Sequence, residues 1–239
     1  MKGLVYSILL QCKLDLRNMN VLSAYYIMPL VFFLVIGAVF EKINPMAKDY
    51  LIQTMSILSI SIAAYLGTPA PLVDFFASDC KKTFKVGNIK LYVVLITTFL
   101  SALIHMIIVS TIIFITAPII FDVNRPENLG MYFFWMLVVG IISILLGMVV
   151  GLFSKNNSIM IMISQFLFLP TMLLSGVLLP TDILPDILQN IGKILPATYA
   201  VKIVMSLEDI TFNMVYPIVT IGVVAIILLI IQYRRLQVD

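Results

Sequence analysis

The chain has 239 residues, of which 62% are hydrophobic and 11% are charged, with a formal net charge of +3. Soluble domains contain roughly 45–50% apolar and about 25% charged residues, so a water-soluble fold of this size could not bury so much apolar surface. The apolar residues form runs of about 20, the length at which a helix crosses a bilayer core. The composition therefore predicts an all-α membrane protein that forms a single transmembrane domain over residues 1–239, without room for a separate soluble domain.

Residues 2–20 precede the first long apolar run and form an amphipathic segment. Its apolar side chains recur at helical spacing at Val5, Ile8, Leu9, Cys12 and Leu16. Lys13 and Arg17 fall on another face. This pattern is typical of a helix that lies in the membrane interface, and the alternative is a soluble leader to the first span.

Six apolar runs follow, and each is long enough to cross a bilayer as a helix. The predicted spans comprise residues 21–40, 51–75, 91–121, 131–153, 158–179 and 212–231. Pro69 and Pro71 remove helix hydrogen bonds within the second run and should kink or break it. The third run is longer than one perpendicular crossing requires, so it must tilt, bend or protrude.

The basic residues are distributed unevenly between the two sides that six crossings define. With a cytoplasmic N-terminus, the inner side holds Lys2, Lys13, Arg17, Lys81, Lys82, Lys85, Lys90, Lys155, Arg234 and Arg235. The outer side holds Lys42, Lys48, Arg125, Lys193 and Lys202. Because cytoplasmic loops carry an excess of Lys and Arg, we expect a multi-pass plasma-membrane protein with both termini in the cytoplasm. The short outer loops, free of cysteine pairs, fit a bacterial membrane.

The motifs of several enzyme classes are missing from the sequence. The single histidine, His105, excludes the zinc motif H-E-x-x-H, and the sequence contains neither a phosphate-binding G-x-x-x-x-G-K-[ST] loop nor a G-x-S-x-G elbow. Carboxylates are nearly absent from the spans, which disfavours a proton- or sodium-coupled carrier. We therefore expect a chain that is not an enzyme, holds no metal and does not bind nucleic acid.

Neutral polar side chains interrupt the apolar spans. The candidates for lining a transport pathway are Ser59, Tyr65, His105, Gln165 and Thr171. Each of them could instead form a hydrogen bond across a helix contact, which is the commoner role of a single polar residue in a span. For His105 that alternative is a neutral imidazole held between two helices, and we favour it over a functional ionisable group.

The segment 173–204 differs in character from the spans and reads LLSGVLLPTDILPDILQNIGKILPATYAVKIV. Its apolar residues recur at helical spacing at Leu184, Ile187, Leu188, Ile191, Ile194 and Leu195. Pro185 suits the first turn of a helix, and Pro196 should end it. The pattern predicts a short amphipathic helix between spans five and six, at the outer face of the membrane.

This segment resembles the permease subunits of type-two ATP-binding cassette (ABC) exporters. The matching residues are Ser175, Gly176, Pro180, Leu184, Pro185, Leu195, Pro196, Thr198, Tyr199 and Ala200. The layout agrees as well, with an amphipathic N-terminal helix, six spans, and a basic loop after the second span. That loop, SDCKKTFKVGNIK, contains Asp79 and Thr83 but lacks the Gly-Thr pair that often follows an acidic-arginine pair in the family.

The resemblance implies that the permease does no chemistry itself and is driven by a separate ATPase subunit, which binds ATP and Mg. It also implies a second permease, either a copy or a paralogue, and export of a drug, antimicrobial peptide or lipid-like substrate. The residues that would couple to the ATPase are Lys13, Arg17, Asp79, Lys81, Lys82, Thr83 and Lys85. Those expected at an extracellular gate are Ser175, Gly176, Pro180, Pro185, Pro196 and Tyr199.

Two alternatives to these assignments remain open. The lysines of the loop after span two could serve only to set the topology and to contact anionic lipids. The whole chain could instead be a non-transporting immunity or sensor protein that captures a peptide in the membrane and needs no ATPase.

Overall fold

The computed structural model describes residues 2–43, 50–76, 78, 80–87, 90–206 and 210–238. All regular elements in these ranges are helical. The α-helices in chain order are α1 (Lys2–Arg17), α2 (Met19–Leu22), α3 (Met28–Ile43), α4 (Leu51–Ile62), α5 (Pro69–Phe76), α6 (Cys80–Val86), α7 (Tyr92–Phe121), α8 (Leu129–Phe153), α9 (Asn157–Leu174), α10 (Asp186–Gly192), α11 (Pro196–Met205) and α12 (Phe212–Val238).

Six helical stretches are long and apolar enough to cross a membrane, which confirms the predicted all-α fold with six spans. Spans one to six are Met19–Val39, Leu51–Phe76, Tyr92–Phe121, Leu129–Phe153, Asn157–Leu174 and Phe212–Arg235. Spans one and two each combine two α-helices joined through a π-helical turn, at Ser23–Ile27 and Ala63–Gly67. In span two, where Pro69 and Pro71 were expected to kink or break the helix, α4 gives way to the π turn and α5 starts at Pro69.

The boundaries differ from the predicted ones mainly around the fifth span. α9 ends at Leu174 instead of continuing to residue 179, because Gly176 adopts a φ of +89° that an α-helix cannot contain. Pro196 begins α11 instead of merely ending the preceding helix, which already stops at Gly192. Proline is well suited to a first helical position because its missing N–H would have no partner there.

Span two lies at the centre of the bundle. Of its most apolar window, 83% is buried, compared with 22% for span six. Span four approaches it very closely, since a Cβ on Gly147 would lie 2.0 Å from the Ala64 carbonyl oxygen. Small residues permit such backbone contacts between membrane helices, where dispersion forces and hydrogen bonds hold the helices together. Spans one, three, four and five and helix α11 all pack against span two.

The two π-helical turns contact each other. Tyr25 in the first turn is buried against Gly67 in the second, where a Cβ would lie 2.8 Å from the Tyr25 ring. The Tyr25 hydroxyl donates to Thr68 Oγ1 at 3.5 Å. Single π turns inside α-helices often mark functional positions, which directs attention to the side chains around this contact.

Candidate functional site

Helix α1 packs on span three through polar side chains and leaves most of its apolar ones exposed. Asp15 is only 3% exposed, whereas Leu9 is 63% exposed. Gln11 Nε2 donates to Asp15 Oδ1 at 2.8 Å, and Ser101 Oγ of span three donates to Asp15 Oδ2 at 2.5 Å. A helix with its carboxylate turned inward and its leucines turned outward fits an apolar environment better than water.

His105 joins this polar contact to span one. Its Nε2 atom lies 3.7 Å from Asp15 Oδ2, and its Nδ1 atom lies 2.6 Å from the Tyr26 hydroxyl of span one. Tyr25 stacks on the imidazole, with ring centroids 4.9 Å apart. The Tyr26 bond agrees with the imidazole held between helices that the sequence favoured. Three helical segments, α1, span one and span three, therefore meet at one histidine, and we call this contact the polar junction (Gln11, Asp15, Tyr25, Tyr26, Ser101 and His105).

Asp15 was not predicted as a partner of His105. The two residues lie 90 positions apart in the chain, and nothing in the sequence places them in contact. A signal was present, because Ile8, Gln11, Cys12 and Asp15 follow one another at helical spacing and three of these four side chains are polar or weakly polar. In the structure this stripe is the face of α1 that packs on α7.

The short helix α6 follows span two and is attached to it by aromatic side chains. Phe84 of α6 packs against Phe75 with ring centroids 4.7 Å apart, and Phe75 packs against Phe76 at 5.1 Å. Nearby, Asn157 Nδ2 donates to Asp74 Oδ1 at 3.1 Å and so connects the end of span two to the start of span five. A displacement of α6 would therefore act directly on the central span.

The residues predicted to couple to an ATPase are distributed over α1 and α6. Lys13 and Arg17 are exposed on α1, and Thr83 is exposed on α6. The backbones of Lys81, Lys82 and Lys85 belong to α6. Their side chains, and the whole of Asp79, lie outside the described residues.

A cleft of about 150 Å³ opens between spans one, two and five. Its walls include Asn20, Ser23 and Met28 from the beginning of span one, Leu66 from span two and Ser164 from span five. Ser164 Oγ is buried without a hydrogen-bond partner among the described residues. The cleft combines an apolar wall with the hydroxyl groups of Ser23 and Ser164 and the amide group of Asn20.

The residues predicted to line a pathway fall into two groups. Ser59, Tyr65 and Thr171 are buried inside the bundle, together with His105. Ser59 and Thr171 donate to the carbonyl oxygens of Ser56 and Leu167, at 2.8 and 2.7 Å. The Tyr65 hydroxyl lies near the side chains of Ser143 and Thr171. Gln165 is instead exposed on the outer surface of span five. The pathway role of all five residues stays a prediction.

The segment after span five folds back onto the end of that span. Gly176 turns the chain, and α10 then packs so closely on α9 that a Cβ on Gly192 would lie 2.7 Å from the Leu174 carbonyl oxygen. Thr198 Oγ1 donates to the Gly192 carbonyl oxygen at 2.5 Å, which ties α10 to α11. Ser175 and Pro196 are buried at this corner.

The other residues predicted at this gate lie around that corner. Pro180 and Pro185 are exposed, Tyr199 is half-buried, and Ile187 and Ile194 present apolar side chains outward. Helix α11 was not predicted. Its ten residues are too few to cross a bilayer, yet Ala197, Ala200 and Ile203 are buried against the spans, as in a re-entrant segment.

Comparison with known proteins gives one match. The family model described as ABC-2 type transporter matches residues 7–208, which run from α1 through α11. Searches of the curated proteins and of the solved structures give no significant match.

Proposed function

The chain belongs to the ABC-2 type transporter family, and from this premise we propose that it is the permease subunit of an ATP-driven exporter for a hydrophobic or amphipathic substrate. The family match over residues 7–208 is the observation that carries the proposal. The membrane domain of this family lacks an ATPase site, and its members function with ATPase subunits. ATP and Mg therefore belong to the partner, and this chain supplies the membrane-spanning part.

The ATPase docks on α6 and on the part of α1 that carries Lys13 and Arg17. Lys81, Lys82 and Lys85 on α6, together with Lys13 and Arg17 on α1, provide the cationic surface for acidic or polar groups of the ATPase. The contact between Phe84 and Phe75 supports a mechanical route from this surface into the bundle. Because span two is the most buried span, its movement displaces the spans packed around it, and the pathway opens or closes in response.

Both termini and α6 lie in the cytoplasm in this proposal. The excess of basic residues at that end supports the orientation. A membrane-impermeant thiol reagent tests it, because Cys80 is exposed and lies at the start of α6. Labelling of Cys80 in inside-out vesicles, and none in intact cells, is the expected result. Labelling in intact cells would contradict the orientation.

A second permease, either a copy or a paralogue, covers the surface of span five. Gln165 exposes an amide on that span, with the apolar Ile161, Met162, Phe166 and Leu169 around it. An amide group facing lipid tails lacks hydrogen-bond partners, which is unfavourable in a medium without water. A partner helix that supplies a donor or an acceptor removes that cost and encloses a pathway between the two subunits.

The cleft between spans one, two and five is the proposed place where substrate enters from the membrane. Its apolar wall with hydroxyl and amide groups supports an amphipathic cargo such as a drug, an antimicrobial peptide or a lipid-like molecule. At the other end of the bundle, the corner built by Ser175, Gly176 and α10 forms the outer gate. The close approach of α10 to Leu174 supports this role, since movement of span five would move α10 with it.

Co-purification from the native membrane tests the function. We expect a tagged chain, extracted in mild detergent, to retain an ATP-binding subunit and to hydrolyse ATP in a vanadate-sensitive manner. Recovery of the chain without an ATPase, under conditions that preserve a control transporter complex, would contradict the exporter and favour the peptide-capturing immunity or sensor protein.

A further inference from the structure

The cleft between spans one, two and five has a buried polar group at its floor. Ser164 is 2% exposed, and its hydroxyl has no hydrogen-bond partner among the described residues. The mouth of the cleft is apolar, because Met28 and Ile161 line it and are 43% and 50% exposed. A buried hydroxyl without a hydrogen bond is unfavourable, and a ligand that bonds it removes this cost.

The two π-helical turns supply walls of this cleft. Ser23 and Ala24 belong to the turn in span one, and Leu66 belongs to the turn in span two. The irregular parts of both spans therefore meet beside the cleft. Because π turns of this kind frequently occur at functional sites, their position favours a binding site over a fault in the packing.

None of the described side chains that line the cleft is ionisable, and the polar ones are Asn20, Ser23 and Ser164. Ser164 lies seven residues after Asn157, where α9 begins, which is about 10 Å along the helix axis. A charged group at that depth would lose its hydration without meeting an opposite charge. A hydroxyl or carboxamide group can instead exchange its water for the serine hydroxyls and the asparagine amide.

The volume of the cleft limits what it can hold. It measures about 150 Å³, and an engineered apolar cavity of roughly that volume binds benzene. Pockets that enclose a whole drug-sized molecule have roughly 300–1,000 Å³. The cleft therefore accommodates one end of an amphiphile, and the rest of the molecule extends past Met28 and Ile161 toward the lipid tails.

We propose that the cleft binds the uncharged, hydroxyl- or carboxamide-bearing end of an amphiphile whose tail stays in the membrane. This inference rests on the proposed function, since it takes the cleft as the entry point of the substrate and narrows the cargo to molecules with an uncharged polar end. In the proposed orientation, the cleft lies in the cytoplasmic half of the membrane, where spans one and five begin. A cationic side chain of a peptide would find no counter-charge in it.

Photolabelling of the full chain in phosphatidylcholine vesicles tests the proposal. Three probes share a dodecyl chain with a diazirine near one end, and that end carries a primary carboxamide, a trimethylammonium group or no polar group. Each is added at the same mole fraction of the bilayer, and mass spectrometry locates the cross-links. Labelling of the cleft residues is divided by labelling of span six, which is mostly exposed and so corrects for partitioning. We expect this ratio to be roughly threefold or more higher for the carboxamide than for the alkane, as one hydrogen bond allows. The ammonium probe should not exceed the alkane.

Three substitutions give the test its specificity. Ser164→Ala removes a hydroxyl that makes no hydrogen bond to the described residues, so the fold should be kept while the carboxamide ratio falls to that of the alkane. Ser23→Leu fills the cleft and should lower the ratio for all three probes. Ser110→Ala is the matched control, because it removes another buried serine hydroxyl without a described partner, on span three and outside the cleft. It should leave every ratio unchanged.

Equal ratios for the carboxamide and the alkane would overturn the proposal, because the cleft would then hold only a lipid tail. A ratio for the ammonium probe as high as that for the carboxamide would overturn it as well, and so would a carboxamide ratio that Ser164→Ala leaves unchanged. Each variant is first checked for a monodisperse size-exclusion profile. The measurement needs neither an ATPase nor transport, so its failure is distinguishable from a failure of the exporter function, which co-purification tests.

Discussion

Spans two and five have nearly the same mean hydropathy, yet their surroundings differ sharply. Of their most apolar windows, 83% is buried in span two and 28% in span five. In span two, Ser56 finds its hydrogen-bond partner inside the bundle, the Tyr132 hydroxyl at 2.7 Å. Span five exposes Gln165 outside the bundle. Hydropathy therefore indicates that a segment enters the membrane. The positions of its polar and small residues indicate whether other helices of the chain pack around it.

The largest expected effect comes from separating spans two and four. Gly147→Ala places a methyl group 2.0 Å from the Ala64 carbonyl oxygen, and neither backbone can yield without unpacking the centre. Overpacking a core typically costs about 1–3 kcal/mol, and we expect this variant to lie at or above that range. Thermal unfolding in detergent measures it. The matched control is Gly130→Ala on the same helix, where the new methyl group would lie 3.7 Å from its nearest neighbour, Asn128 Oδ1. Equal stability of the two variants would contradict the central position of span two.

The second-largest effect is expected from removing the aromatic contact between α6 and span two. Phe84→Ala removes the ring that packs on Phe75, and such aromatic pairs contribute about 0.5–1.5 kcal/mol beyond their burial. We expect the ATPase to remain bound. The amount of substrate transported per ATP hydrolysed should fall by up to roughly tenfold. Phe84→Tyr keeps the ring and serves as the control. Transport and hydrolysis that fall in parallel in Phe84→Ala would show that this contact does not carry coupling.

A smaller effect on stability is expected when a buried hydroxyl group of span two is removed. Tyr65→Phe removes a buried hydroxyl that lies near Ser143 and Thr171 while keeping the ring. A typical buried hydrogen bond contributes about 0.5–1.5 kcal/mol, so the free energy of unfolding should decrease by about that amount. Chemical denaturation in mixed micelles measures the change. An unchanged stability with altered transport would instead favour the predicted pathway role of Tyr65.

The smallest effect is expected from a substitution on the exposed surface of span five. Gln165→Leu should weaken the association of two permeases by about 0.6 kcal/mol, the average found for polar contacts between membrane helices. Energy transfer between labelled copies in vesicles reports this association. Met162→Leu, on the same exposed face, is the control and should leave it unchanged. Tighter association in Gln165→Leu would mean that lipid, and not a second subunit, faces this position.

The sequence was sufficient for the fold class, the six spans and the family, because these depend on long apolar runs and on local turn residues such as Gly176 and Pro196. The packing order of the spans could not be predicted, since it depends on side-chain contacts between distant positions. Asp15 is an example of this difference. Its position on one face of α1 could be predicted from the sequence, but its contact with His105 could be seen only in the structure. Helix α11 was missed because its ten residues are too few for the length criterion that identifies spans.

The central claim is that α6 receives the ATPase and passes its movement to span two. The most direct test is co-purification of the ATPase with a chain in which Lys81, Lys82 and Lys85 are all changed to Glu. The matched control changes Arg125, Lys193 and Lys202 to Glu, three basic residues predicted to lie on the opposite side of the membrane. Labelling of Cys80 from the same side in both variants verifies the topology. We predict that the α6 variant loses the ATPase and that the control retains it. An ATPase that remains bound to the correctly inserted α6 variant would contradict the account.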